Sequence, residues 1–155
     1  MTTPRSRPYI AAYLILLNQG KILLSRRFNT GWQDGKFSLV AGHFDEHETA
    51  KEAIIREALE EAGIELSQDD LTVSYVLHRW GKDREYIDVY LTSKKWTGLI
   101  ENREPEKCGE LAWFSLDALP DSLIPHIRFV LQQIEANEHY GEFGWEKSTS
   151  ETFKT

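Results

Sequence analysis

The chain has 155 residues, 41% of them hydrophobic, which is enough for one buried core but short for two domains. The formal net charge of -7 argues against binding to long nucleic acid or to an anionic membrane, because both are bound by clustered Lys and Arg. There is no apolar run of the roughly 18 residues that cross a bilayer and no signal-type segment, and the single cysteine fits a reducing compartment, so we expect a cytoplasmic protein.

The first half of the chain predicts three strands and a helix. Residues 9–17 and 22–25 are apolar and flank Asn18-Gln19-Gly20, which is typical of a hairpin turn. Residues 37–41 form a third short apolar run, and a helix should follow over residues 50–62. No linker interrupts this order, so we predict one domain over residues 1–155.

The second half predicts more strands and a second helix. Residues 71–80 and 85–93 should pair, and residues 111–114 form a short strand. Apolar residues recur at helical spacing over residues 123–137. Mixed strands and helices favour a layered α/β or α+β domain. Only the ends, at about residues 1–7 and 146–155, have the composition of flexible segments.

The helix over residues 50–62 has defined ends and two different faces. Thr49 and Glu52 fit a capping box, and Gly63 stands where a left-handed residue commonly ends a helix. At about 100° per residue, one side carries apolar residues and the other carries glutamates. The apolar set is Ile55, Ala58, Leu59 and Ala62, and the acidic set is Glu57, Glu60 and Glu61.

The three glutamates should repel one another. Each like-charge pair at this spacing costs a few tenths of a kcal/mol, and two of the glutamates lie in the last turn, where the helix dipole disfavours negative charge. A solvated helix face is one interpretation of any such acidic cluster. The other interpretation is a site where a cation compensates the repulsion, and the spacing of the surrounding residues favours it.

The segment GHFDEHETAKEAIIREALEEAGI, residues 42–64, follows a long fixed pattern. Gly42 is followed after five residues by Glu48, and after seven more by Arg56-Glu57 with Glu60-Glu61, Gly63 and an aliphatic residue. This pattern resembles the Nudix box, with Ala58 the least typical residue at an apolar position. So many specified positions in 23 residues make a chance match improbable.

The resemblance implies an α+β domain, the Nudix fold, in which a mixed β-sheet lies between helices as an α/β/α sandwich. It also implies a Mg²⁺ or Mn²⁺ site with Glu57, Glu60 and Glu61 as ligands, which suits cations that prefer oxygen. By the same resemblance, Glu60 or Glu57 accepts a proton from the attacking water. Arg56 and Glu48 brace the loop, and Gly42 lets the backbone turn beside the phosphates.

The residues before the box depart from the usual family pattern. Val40-Ala41-Gly42 stands where Pro-Gly-Gly is common. In the family, the carbonyl at the position of Ala41 often binds metal. An alanine still offers that carbonyl if its backbone angles allow, so Ala41 is included as a metal ligand.

A second motif follows in the loop over residues 101–108. The run EPEKC resembles a segment of Nudix subgroups that hydrolyse purine nucleoside triphosphates, including oxidised ones. There, a glutamate at the position of Glu104 approaches the metals as ligand or base. A plain polar connection is the competing interpretation of this loop.

Three further residues are candidates for substrate contact. Arg26 and Arg27, at the end of the second strand, could reach phosphate oxygens, although one of them should be a solvated charge. His43 lies in the loop of the box, where an ordinary loop histidine is the alternative.

The predicted function is Mg-dependent hydrolysis of a nucleoside diphosphate linked to X. The favoured substrate is a nucleoside triphosphate, modified or oxidised, cut to the monophosphate and pyrophosphate. An ADP-ribose or nucleotide-sugar pyrophosphatase and a catalytically silent nucleotide-binding module are the alternatives, although no box glutamate is missing. Pairing into a homodimer is left open.

Overall fold

The computed structural model describes residues 2–146, and this part of the chain forms eight strands, two α-helices and one short 3₁₀-helix. The strands are β1 (Tyr9–Asn18), β2 (Lys21–Arg27), β3 (Phe37–Ser38), β4 (Ala41–His43), β5 (Thr72–Trp80), β6 (Glu85–Ser93), β7 (Cys108–Ser115) and β8 (Tyr140–Phe143). The helices are α1 (Ala50–Ala62) and α2 (Pro125–Glu135), and the 3₁₀-helix is Gln68–Asp70.

The strands form one mixed sheet in the order β3-β2-β1-β6-β5-β8, with β4 paired to β1 and β7 paired to β2. The β1–β6 and β5–β8 pairs are parallel, and the other pairs are antiparallel. Three strands pair with β1, which therefore lies at the centre of the sheet. Its hairpin partner β2 follows a turn with left-handed residues at Gln19 and Gly20, as the turn composition predicts.

The sheet is covered on both faces, and the side chains of β1 alternate between the two cores that result. Ala11, Tyr13 and Ile15 pack in the core beneath α2, whereas Ala12, Leu14 and Leu16 pack in the core beneath α1. A strand buried on both faces has a continuous apolar sequence, as β1 does. The mixed sheet between two helices confirms the predicted α+β sandwich.

The predicted ends of α1 are confirmed in detail. The Thr49 hydroxyl accepts a hydrogen bond from the Glu52 amide, and the Glu52 carboxylate accepts one from the Thr49 amide, each at 3.2 Å. Gly63 ends the helix with a φ of 69°. Local chemistry therefore sets both ends of the helix that carries the box.

Other predicted boundaries differ from the structure. The single strand predicted over residues 37–41 is two strands, since Phe37–Ser38 pairs with β2 whereas Ala41–His43 pairs with β1. Strand β7 begins at Cys108, before the predicted residue 111, because its partner β2 continues to Arg27. Helix α2 is shorter than predicted at both ends and starts with Pro125.

Strand β8 was not predicted at all. It pairs in parallel with β5, and the Trp145 indole donates to the His78 carbonyl at 3.0 Å, so the chain through residue 145 docks on the sheet. Of the two ends predicted to be flexible, residues 147–155 and Met1 lie outside the described residues. Neither α-helix, at 13 and 11 residues, is long enough to cross a membrane.

His126 at the start of α2 should make stability depend on pH. Its side chain is buried beside Tyr13 and Phe143, and its Nε2 has no hydrogen-bond partner among residues 2–146. Burial lowers the His126 pKa from 6.5 to about 3, so between these values the unfolded chain binds a proton that the folded chain does not. The folded state should lose about 1.4 kcal/mol for each pH unit below 6.5 from this group.

The measurement is urea unfolding between pH 4.5 and 6.5 for the unmodified protein and for His126→Phe. As the pH falls, the free energy of unfolding of the unmodified protein should decrease relative to that of His126→Phe. Parallel stability curves would show that folding does not lower the His126 pKa.

Candidate active site

Helix α1 is rotated from the orientation that its apolar residues predict. Its buried residues are Ala53, Ile54, Ala58 and Ala62, whereas Leu59 is 46% exposed. At 100° per residue, Glu57 and Glu61 fall beside this buried face, and of the three box glutamates only Glu60 faces outward. The prediction that all three lie opposite the packing face is therefore wrong. Alanines allow α1 to approach the sheet closely, and this brings two carboxylates against β4.

Arg56 holds the acidic residues of the box together. Its guanidinium makes two hydrogen bonds to Glu48, at 2.7 and 2.9 Å, and one to Glu57 at 2.7 Å. It also donates to the His43 carbonyl at 3.0 Å and lies 3.5 Å from Glu60. The paired hydrogen bonds to Glu48 tie the loop before α1 to the helix, in the bracing position that the resemblance implies.

Gly42 leaves room for the Glu57 carboxylate. A Cβ atom built on Gly42 would overlap the Glu57 carboxylate. Glycine at this position therefore lets the carboxylate lie against the backbone of β4. The reason for glycine is this close approach, because Gly42 does not have a positive φ.

Glu61 is fixed from the same strand. The Ala41 amide donates to its carboxylate at 3.1 Å. Burial raises the Glu61 pKa well above its ordinary value, and the charges of Glu57 and Glu104 add to the rise. Burial also raises the pKa of Glu57, although Arg56 opposes the rise. The protein alone thus leaves the negative charge of these two residues undercompensated.

The loop after β6 brings Glu104 to the same place. The amides of Glu101 and Arg103 donate to the carbonyls of Ala62 and Glu61, which are free acceptors at the end of α1. The Asn102 side chain accepts from the Glu104 amide at 3.1 Å. The helix end therefore anchors the loop that carries Glu104.

The glutamates at positions 57, 60, 61 and 104 line one cavity of about 470 Å³, which we call the acidic cleft. It is lined by Ser25, Arg27, Thr30, Ser38, Ala41, His43, Glu57, Glu60, Glu61, Glu104, Lys107 and Cys108. Within residues 2–146, no three His, Cys, Asp or Glu side chains already converge on one ion position.

The acidic cleft nevertheless fits a hard divalent cation. Four carboxylates line it, those of Glu57, Glu60, Glu61 and Glu104, and carboxylate oxygen is the donor type that Mg²⁺ and Mn²⁺ prefer. Glu57 accepts from Arg56 and Glu61 accepts from the Ala41 amide, and burial raises the pKa of both carboxyls, so their charged forms would gain from further positive charge in the cleft. A divalent cation would supply that charge.

A second cavity of about 310 Å³, which we call the aromatic cavity, adjoins the acidic cleft. Its lining is Ala11, Tyr13, Arg27, Trp32, Ala41, Gly42, His43, Arg79 and Tyr86. Arg27, Ala41 and His43 line both cavities, which places an aromatic space directly beside a carboxylate-lined one.

The structure separates the two arginines predicted to reach phosphate. Arg27 lines both cavities, and its side chain donates to the Trp32 carbonyl at 2.7 Å. Arg26 lines neither cavity and donates to the Gly35 carbonyl at 3.1 Å. The pairing of β2 with β7 is irregular between these two residues, and only Arg27 of the pair reaches the site. The other predicted site residues line at least one of the two cavities, except Arg56, which donates to Glu57 from outside them.

Four residues near the site were missed from the sequence: Tyr13, Arg79, Tyr86 and Asp88. Arg79 donates to the Asp88 carboxylate at 2.6 Å, and both side chains are buried. The sequence signal for Arg79 and Asp88 was a charged residue at alternate spacing from apolar ones. In β5, Arg79 follows Tyr75 and Leu77, and in β6, Asp88 precedes Tyr90, and all five side chains are buried. A buried charge at such a position usually has a partner.

Comparison with known proteins agrees with this geometry. The family model described as NUDIX domain matches residues 6–134. The chain is similar in structure to the MutT NUDIX hydrolase of Burkholderia pseudomallei, with 27% identity, a TM-score of 0.76 and coverage of 83% of this chain and 98% of that one.

Two more distant structures show the same fold. The MutT protein of Methanosarcina mazei Go1 is 22% identical with a TM-score of 0.75, and the match covers 87% of this chain and 98% of that one. A UDP-X diphosphatase is 16% identical with a TM-score of 0.65, over 92% of this chain and 70% of that one. The protein therefore belongs to the Nudix family and is a hydrolase of substrates that contain a nucleoside diphosphate linkage.

Proposed function

We propose that the protein hydrolyses nucleoside triphosphates, with modified or oxidised forms among them, to a nucleoside monophosphate and pyrophosphate with Mg²⁺ or Mn²⁺. The observation that supports this most is that the acidic cleft and the aromatic cavity adjoin and share lining residues. A metal-bound polyphosphate suits the first and a nucleoside suits the second.

Glu57, Glu60 and Glu61 would hold the metal, with the Ala41 carbonyl as a further ligand. A bound divalent ion would neutralise phosphate charge and lower the pKa of the attacking water. Arg27 lines both cavities and is the arginine placed to contact a phosphate oxygen. Arg56 would keep the Glu57 carboxylate in position rather than contact the substrate.

The best proton acceptor is a carboxylate that the cations of the protein neutralise least. Glu57 is held by Arg56 at 2.7 Å, whereas Glu60 is 55% exposed and lies 3.5 Å from the same guanidinium. Glu104 lines the cleft from the opposite loop. Glu60 is therefore our first candidate for accepting the proton of water, and Glu104 is the second.

The test is product analysis with a panel of nucleotides and Mg²⁺. We expect nucleoside triphosphates to release pyrophosphate and a monophosphate, and we expect no product after chelation of the metal. Release of orthophosphate alone would contradict the proposed bond cleavage. Faster cleavage of ADP-ribose or a nucleotide sugar would move the assignment to that alternative.

A cytoplasmic location and self-association into a homodimer remain predictions. Fractionation of cells would test the first, and sedimentation of the purified chain would test the second.

A further inference from the structure

The Arg79–Asp88 ion pair lies at the aromatic cavity and has no part in the proposed metal chemistry. Arg79 Nε donates to one Asp88 oxygen at 2.6 Å, and Nη2 lies 3.4 Å from the other. The side chains are 7% and 0% exposed. Removing two charges from water costs several kcal/mol per ion, so each member of the pair depends on the other to remain charged at this place.

Only the cationic residue of the ion pair lines the aromatic cavity. Arg79 lines the aromatic cavity, and Asp88 is not among the lining residues. The two contacts to Asp88 use the Nε hydrogen and one hydrogen of Nη2, which leaves the second hydrogen of Nη2 and both hydrogens of Nη1 for a pair of acceptors. The Arg79 guanidinium carbon also lies 4.0 Å from the centre of the Tyr86 ring, which restrains the guanidinium plane.

The charges favour a neutral ligand at this end. Asp88 already balances Arg79, so an anion bound here would have no uncompensated charge to meet. Phosphates would instead bind in the acidic cleft, where a metal held by the carboxylates would meet them together with Arg27, which lines both cavities. The ligand group at Arg79 should therefore be uncharged, planar and rich in hydrogen-bond acceptors.

Building on the proposed function, we propose that Arg79 recognises the nucleobase through two adjacent acceptors, and that the base is guanine. Guanine presents O6 and N7 side by side as acceptors, the edge that arginine recognises with two hydrogen bonds. Adenine presents an amino donor beside N7 and would place donor against donor. Arg79 is thus a specificity-determining residue held in place by Asp88.

The proposal separates ordinary from oxidised guanine. Oxidation at C8 puts a hydrogen on N7, which turns that acceptor into a donor facing the Arg79 donors. The preferred substrate should therefore be the unoxidised guanine nucleotide, which narrows the broader class given above.

The first experiment leaves the protein unchanged and alters one atom of the substrate. We expect kcat/KM for 7-deaza-dGTP, in which a C–H replaces N7, to be about tenfold or more below that for dGTP. The values for dATP and 8-oxo-dGTP should also be lower than for dGTP. Equal values for dGTP and 7-deaza-dGTP, or a preference for 8-oxo-dGTP, would overturn the proposal.

The second experiment changes the pair. Arg79→Met alone would leave Asp88 buried without a partner and could unfold the chain, so the variant is Arg79→Gln with Asp88→Asn. In this double variant the ratio of dGTP to 7-deaza-dGTP should fall to about one while pyrophosphate release continues. Arg84→Met is the matched control, since Arg84 is exposed on the neighbouring turn and lies over the Tyr9 ring, and it should keep the ratio. A ratio unchanged in the double variant would contradict the role of Arg79.

Failure of the proposed function would give a different result. If no nucleotide is hydrolysed, calorimetric binding of GMP and of 7-deaza-GMP tests Arg79 without catalysis. Tighter binding of GMP that disappears in the double variant supports the role of Arg79, and equal or absent binding of the two refutes it.

Discussion

Glu60→Gln and Glu61→Gln should each lower kcat by about 100-fold or more, because each removes a negative charge from the acidic cleft while keeping the size of the side chain. The assay is pyrophosphate release from the best nucleotide at saturating Mg²⁺. Glu135→Gln is the matched control, since Glu135 is an exposed helical glutamate of α2 outside the cleft, and it should retain full activity.

Thermal unfolding tells loss of the site from loss of the fold. Without metal, Glu61→Gln should be at least as stable as the unmodified protein, because burial disfavours the Glu61 charge and glutamine can still accept from the Ala41 amide. Mg²⁺ should raise the Tm of the unmodified protein and raise it less in the variant. Full activity in both variants, or an equal response to Mg²⁺, would refute the metal site.

Arg56→Met should destabilise the protein by about 3 kcal/mol, the largest stability effect we expect at the box. Arg56 lies within 3.5 Å of four carboxylates, those of Asp45, Glu48, Glu57 and Glu60. Its removal leaves Glu48 and Glu57, both 13% exposed, without the guanidinium that compensates them. For a chain of this length, the loss corresponds to a fall in Tm of about 10 °C.

The measurement is urea unfolding and thermal unfolding of Arg56→Met beside Arg56→Lys. Lysine keeps the charge but cannot make the paired hydrogen bonds to Glu48. Arg56→Lys should therefore be more stable than Arg56→Met and less stable than the unmodified protein. Arg5→Met, at an exposed position near the N-terminus, should change stability by less than about 0.5 kcal/mol. A loss of similar size in both methionine variants would show that Arg56 acts only as one more surface charge.

Much of the candidate site was open to prediction because the box is local. The spacing from Gly42 to Ile64 identified the glutamates, and the capping residues gave both ends of α1, since these features depend on residues a few positions apart. The turn at Gln19 and Gly20 was predictable for the same reason. The resemblance of EPEKC marked Glu104, although the sequence did not show that the end of α1 anchors its loop.

The sequence by itself determined which chemical groups the protein has and where the helix of the box begins and ends. Only the tertiary structure decided which groups meet. Packing of alanines turned Glu57 and Glu61 inward, and the irregular pairing at the end of β2 placed Arg27 in the site and Arg26 outside it. The Arg79–Asp88 pair arises where β5 and β6 align, because contacts between strands depend on register and on the covering layers, which local sequence does not specify.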